Sequence, residues 1–367
     1  MIAEARAEAW LRAWDSQGIH RTGTDGDHAG ADWLTAESEA LGAKVTREAF
    51  TLDRLDPGDA YLEVGGTRIP GVPVFDAPAT NGMTGVLGRE IEVAALAPGA
   101  VYTGDYRRLR ENAAHPGLVI LCQGTHPGLG LLNAEQFGVP YGAPAIHVDD
   151  PSVLAAEGRV VRLVSASVRT RTAARNVVVT LKGRDPSRKP VVVMTPRSSW
   201  WQSTAERGGG LVCWLETLRA LLVAPPACDV ILTANSGHEL GHLGLDDFIA
   251  RRPGWDQPGG AIWVHYGANI GASGGALSVL SSDDALRAAM LDALVSVGRP
   301  PDTMAPKTLV PSGETRDIHR AGGRYVTLVG TNPWFHLPDD RWPHTVDVPA
   351  IARIAEGAAR MVAELTR

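Results

Sequence analysis

The chain has 367 residues, 44% of them hydrophobic and 21% charged, with a formal net charge of −6. That length supports a large core and, by ordinary domain sizes, two compact units. The acidic balance lacks the basic excess that phosphate-backbone binding needs, and no uninterrupted apolar run approaches the roughly eighteen residues of a membrane span, so neither nucleic acid nor a bilayer is an expected partner.

In chain order, residues 1–18 alternate Ala, Leu and Trp with Glu and Arg at helical period, and ADWLTAESEALG (31–42) repeats the pattern before a glycine stop, giving two expected surface helices. The first of them has neither the basic start nor the continuous apolar stretch of a signal peptide, which points to the cytoplasm. From about residue 56 to 170 the texture becomes β-rich, with short apolar runs such as AYLEV, APAIHV and VVRLVSASV between turns at DPGD, VGGT, IPGVP and APGA. From 176 onward, strands and helices alternate: NVVVTLKG, PVVVM, the amphipathic GGLVCWLETLRALLV, DVILTAN, a helix through LDDFIARR, GAIWVHY, RYVTLVG, and a last helix VPAIARIAEGAARMVAEL. Buried β-branched runs separated by helices indicate an α/β protein with a central mixed sheet flanked by helices. Cys122, Cys213 and Cys228 sit in apolar runs without paired spacing and read as reduced core thiols.

In open α/β sheets ligands bind beyond the carboxyl ends of the strands. Those positions hold Thr195 to Trp201 after PVVVM, Ser236 to Glu239 after DVILTAN, His265 and Tyr266 in GAIWVHY, and Trp334 to His336 with Asp339 and Asp340 after RYVTLVG. The stretch ANSGHELGHLG carries His238, Glu239 and His242 in the His-Glu-x-x-His spacing of zinc proteases. That chemistry needs one continuous helix to aim both imidazoles at the same ion. Here the motif follows directly on a β run and contains Gly241, so a strand-to-helix turn is expected, with the part played by His242 left open. At TPRSSWWQS, Arg197 could present its fork to a substrate carboxylate, with Trp200 and Trp201 as an apolar wall. The same residues could instead be core and surface packing.

The order of short N-terminal helices, β-rich insertion, ARNVVVTLKG, VVVM, a Gly-rich helix start, DVILTANSGHELGHLGLDDF, GAIWVHY and WFHLPDD resembles metallopeptidase family twenty-eight. These are the aminopeptidases and glutaminyl cyclases of phosphorylase/hydrolase-like fold. The resemblance implies a zinc aminopeptidase-like α/β catalytic domain at residues 1–55 and 171–367, with a protease-associated-like β-rich domain inserted at 56–170. It also implies hydrolysis of an amide or related acyl bond in a small or short peptide-like substrate, possible association into a homo-oligomer, and zinc. The family's His-x-Asp pair falls on Pro196 and Ser198, which removes one ligand. The remaining positions place Glu206, Glu239 and His336 as ligands of a single zinc ion, and His238 at the general base beside Glu239. Arg197, Ser198, Trp200, Trp201 and His265 fall where substrate would bind. Two alternatives stand beside this reading: metal-free chemistry by His238, Glu239, Ser198 and Arg197 in the same pocket, and a binding protein that has kept the fold without the reaction. Glu206 could also serve only to stabilise the N-terminus of the helix it begins.

Overall fold

The computed structural model describes residues 3–95, 115–123, 126–134, 137–138 and 142–367; the turn expected at APGA lies outside them. Two N-terminal helices, α1 (Ala3–Asp15) and α2 (Asp25–Ala40), lead into a long strand β1 (Val45–Val64). Strands β2 (Thr67–Pro70), β3 (Val72–Pro73), β4 (Thr80–Val86), β5 (Ile91–Ala95), β6 (Gly117–Leu121) and β7 (Ala145–Val148) follow, and then β8 (Val160–Leu181). The α/β part continues with β9 (Val191–Pro196), α3 (Thr204–Val223), β10 (Val230–Asn235), α4 (Leu243–Ala250), β11 (Ile262–Tyr266) and β12 (Leu277–Ser281). It ends with α5 (Asp284–Ser296), β13 (Thr303–Met304), α6 (Thr315–Arg320), β14 (Arg324–Gly330) and α7 (Val348–Leu365).

The main sheet runs β13-β12-β14-β11-β9-β10-β8-β1-β2, with β4 added alongside β8. Its centre, β14-β11-β9-β10, is parallel, while β12 and β8 flank it antiparallel, so the sheet is mixed as expected. Every residue of β9 and β10 is buried, which is why both read as uninterrupted apolar runs. A second sheet, β3-β7-β6-β5, has its own apolar cluster around Leu118, Ile120 and Ala145.

Strands β1 and β8 pair along nearly their whole lengths within the main sheet. VVRLVSASV and NVVVTLKG, which read as separate strands, are therefore two ends of one. The expected boundaries at residues 56 and 170 fall inside this ribbon, and the expected turn at DPGD is a register shift in it between Pro57 and Ala60. VGGT does make a turn, with Gly65 and Gly66 both at positive φ.

Both N-terminal helices bury one face, Trp10, Leu11 and Trp14 from α1 and Ala31 and Leu34 from α2, against the same core as α3 and α7. Helix α2 begins at Asp25, earlier than its apolar pattern suggests, because Gly26 permits a contact that side chains forbid: a Cβ there would lie 2.1 Å from the Ile19 carbonyl oxygen. Helix α3 is buried on all sides over most of its length. Its three glycines let it lie on the strand ends despite a helix cost of about 1 kcal/mol each. A Cβ on Gly209 would stand 1.9 Å from the Ile270 carbonyl oxygen and one on Gly210 2.6 Å from Thr195 Oγ1. Cys122, Cys213 and Cys228 are free and buried. Among the described residues no helix is long and apolar enough to cross a membrane. Because the obstacle at Gly209 is backbone, Gly209→Ala is expected to destabilise the protein by about 1–3 kcal/mol, read as a lowered urea midpoint.

Candidate active site

The carboxyl ends of the parallel strands open into a cleft of about 250 Å3. His238 reaches it from the turn after β10, His265 from β11, and His336 from the loop after β14; Glu314 comes from the segment just ahead of α6. His242 is there as well, but not by the route that a zinc-protease helix would take. Residues His238–Leu240 form a single 3-10 turn, Gly241 and His242 are both left-handed, and α4 starts only at Leu243. This sharp turn brings the His238 and His242 rings to 5.2 Å between centroids.

Each imidazole is held through Nδ1. Glu314 Oε1 lies 2.9 Å from Nδ1 of His238, and Asp317 Oδ2 lies 2.5 Å from Nδ1 of His242. A carboxylate only accepts, so Nδ1 carries the proton in both rings and Nε2 is the free position. Burial, together with the nearby Arg207 charge, pushes His238 down to about 4 despite Glu314, leaving it neutral at physiological pH. His242 moves up, because Asp317 and Glu314 outweigh its burial. His265 Nδ1 lies within hydrogen-bond distance of the hydroxyls of Thr327 (2.7 Å) and Thr315 (2.5 Å), and its Nε2 lies 3.5 Å from Glu314 Oε2. Both of those facing atoms are buried without a hydrogen-bond partner.

Several residues expected at the site are instead turned into the protein. Glu239 is fully buried and does not line the cleft. Its Oε1 accepts from the Thr22 amide and hydroxyl, both at 2.7 Å, and its Oε2 accepts from the Ser198 hydroxyl at 2.6 Å. Burial raises its pKa against those three bonds. Ser198 Oγ in turn accepts from the amides of Gly237 and His238. Donating to Glu239 and accepting from two amides, that hydroxyl ties two strand ends together. Arg197 is not an anion clamp either: its guanidinium is fully buried, 2.8 Å from Asp27 Oδ1, and donates to the carbonyls of Asp27 and Arg175. Trp200 is buried against Phe75 and donates to Asn133, a cleft residue. Trp201 Nε1 donates to the backbone carbonyl of His336 and so positions that loop.

His336 lines the cleft with φ at +61°, its Nδ1 donating to the Leu131 carbonyl at 2.7 Å. Its Nε2 therefore faces Glu206 Oε1, 3.4 Å away. Glu206 stands in the first turn of α3, where Asp340 accepts from the amides of Ala205 and Glu206. Asp340 is pushed up to about 7 by burial and by Glu206. The sequence reading missed Arg207, the very next residue. It is fully buried, with Nη2 2.7 Å from Glu206 Oε1 and Nε donating to the Ser198 carbonyl at 2.8 Å. Burial works to raise Glu206, but Arg207 and His336 outweigh it and hold the carboxyl at about 2. Glu314 and Asp317 were missed too, since PSGETRD follows no apolar run; Arg207 was in view beside Glu206 and is the one that adjacency could have flagged.

Solved structures share this architecture over the whole chain. A zinc aminopeptidase of Bacillus subtilis superposes with a TM-score of 0.80 at 17% identity, covering 99% of this chain and 95% of that one. A peptidase precursor of family twenty-eight from Shewanella amazonensis gives a TM-score of 0.72 at 17% identity, covering 100% and 97%. The glutaminyl cyclase of Porphyromonas gingivalis gives 0.53 at 11% identity, covering 99% and 98%. The fold is that of the zinc aminopeptidases. No protein-family model and no curated protein matches the sequence.

Zinc aminopeptidase architecture implies a metal, and the expected ligand set here does not suit one. Both Glu239 oxygens are already taken, and Glu206 carries a guanidinium. A divalent ion set about 4 Å from Arg207 would meet roughly 8 kcal/mol of repulsion at an effective dielectric constant of about 20. Another group among the described residues has suitable donors: one ligand atom each from His238, His242 and Glu314, all within 4.8 Å of one another. At the scaffold end of the site, Arg197→Met leaves Asp27 buried without its cation and is expected to cost about 3–5 kcal/mol. The double variant with Asp27→Leu should lose less than Arg197→Met alone, both read by chemical denaturation.

Proposed function

We propose that this protein is a hydrolase that cleaves an amide or related acyl bond of a small substrate in the histidine-lined cleft. The observation that carries the reading is the buried His238–Glu314 pair at the cleft wall, with Nδ1 fixed on the carboxylate and Nε2 free to accept a proton. In this reading His238 takes the proton from water as it attacks the carbonyl, Glu314 stabilises the imidazolium that forms, and the same ring returns the proton to the leaving nitrogen. Asn133 gives its amide oxygen to Trp200, which leaves its N–H groups for the cleft and for a polarised substrate oxygen. At about 250 Å3 the cleft lies below the usual range of drug-sized ligand sites, which suits a small amide rather than a folded protein. The chemistry needs no ligand at Glu206, Glu239 and His336, and no step runs through a metal there.

A second reading is favoured by the His238–His242–Glu314 group, whose spacing would accept a single zinc ion. Such an ion supplies a Lewis acid for the carbonyl when bound. The cleft wall would then keep His265 and Asn133 as its other polar groups.

A screen of N-acyl amino acids and small aromatic amides tests the function, and absence of turnover on any amide points to a binder instead. For a substrate found in this way, His238→Gln is expected to lower kcat by about 10²–10⁴-fold, the usual contribution of a positioned acid-base group. Unchanged turnover would remove His238 from the mechanism. The acid limb of the kcat/KM profile should lie near pH 4, because His238 stays neutral down to about 4. A limb near the ordinary histidine value would contradict the buried neutral ring. Full activity after chelation and dialysis supports the metal-free reading; activity lost and restored by zinc supports the second.

A further inference from the structure

Glu206, Arg207 and His336 form a buried charge cluster that the proposed reaction does not use. Its geometry is unusual in one respect. Nδ1 of His336 donates to the Leu131 carbonyl, which aims Nε2 at Glu206 Oε1 3.4 Å away. A carboxylate sealed in a water-excluded core needs positive charge beside it. The loop of His336 is pinned by Trp201 and the helix start of Glu206 by Asp340, so neither side chain is free to turn away. Arg207 supplies the charge. Its side chain is wholly inaccessible, one terminal nitrogen lies 2.7 Å from Glu206, and its Nε is anchored on the Ser198 carbonyl. Both terminal nitrogens of Arg207, both oxygens of Glu206 and Nε2 of His336 lack well-formed hydrogen bonds. The cluster is held by charge rather than by directional bonding. Glu239, the third residue that the family resemblance assigns to zinc, has no free oxygen to offer.

We propose that Arg207 is the resident cation of this cluster: beside Glu206 its guanidinium takes over the charge that the resemblance gives to zinc, and this position is metal-free in the working protein. A tethered guanidinium neutralises the carboxylate as an ion would, cannot dissociate, and repels a divalent cation. Among the described residues, the donor group left for zinc is His238, His242 and Glu314. The inference concerns metal content and stands whether or not the amide-hydrolase reading holds.

The test is metal stoichiometry on the full-length chain, equilibrated with zinc and measured by elemental analysis, with cobalt(II) absorption as a second readout. Zinc content of the parent protein should be unchanged by Glu206→Gln. Arg207→Ser, which removes the cation and opens space, should bind one zinc ion per chain beyond the parent, and adding Glu206→Gln should abolish that gain. Arg207→Lys keeps a charge and should gain none. Parent zinc lost on Glu206→Gln would overturn the proposal, as would a folded Arg207→Ser protein that takes up no additional ion. Should Arg207→Ser fail to fold, the Glu206→Gln comparison in the parent decides alone.

Discussion

A guanidinium cannot be buried without being neutralised, and in this protein the burial of Arg207 organises the floor of the cleft. The charge keeps Glu206 ionised although it is sealed from water, and it acts together with burial to keep His238 neutral. Removing a charged side chain from water costs several kcal/mol per ion, recovered only when the partner is close and fixed. The fixing comes from the ends of three elements: the Ser198 carbonyl after β9, the first turn of α3 capped by Asp340, and the loop after β14 that presents His336. The same strand ends that shape the cleft also supply the counter-charges beneath it.

A second layer of ties brings the N-terminal segment to the site. The loop between α1 and α2 puts Thr22 on Glu239, and the start of α2 puts Asp27 on both Arg197 and the hydroxyl of Ser236. Polar residues at the ends of buried strands must find partners or pay the desolvation of an unmet group. Here they find them in a segment distant in sequence. Glu239, Ser198 and Arg197 are thereby scaffolding that sets the backbone from which His238 projects. Residues 131–134 contribute in the same way: Leu131 holds His336, Asn133 receives Trp200, and the Ala134 amide donates to the Glu239 carbonyl.

The fold was legible because its signals are local: uninterrupted apolar runs for the central strands, helical period for α7, and glycines at the turns; α3, expected to be amphipathic, is instead buried on all sides. The continuity of β8 was not, since its middle, SASVRTRTAAR, is largely polar where the ribbon is exposed to solvent. At the site, position along the chain correctly indicated which strand ends meet; His238, His265 and His336 do line one cleft. What position could not show is direction. His238 and Glu239 are adjacent, yet one side chain faces the cleft and the other the core, a distinction set by one turn of backbone. Nor could it find Glu314, which arrives from a loop with no strand before it and whose partners are all distant in sequence.

Two residues that line the cleft bear on whether it is a working site or an inherited depression. His242 and His336 both have positive φ, +66° and +61°. For a side chain with a Cβ the left-handed conformation costs roughly 1–2 kcal/mol, and a loop with no other demand on it accepts glycine at no such cost. In each case the strained backbone delivers an imidazole to the cleft, and a single Nδ1 hydrogen bond, to Asp317 or to Leu131, then fixes the ring. Neighbouring Gly241 shows that glycine is available in the same turn. Retained strain of this kind clusters at functional sites; the left-handed turn at His242 leaves its Nε2 to the cleft, whereas that at His336 brings the ring to the cleft wall with Nε2 turned to Glu206.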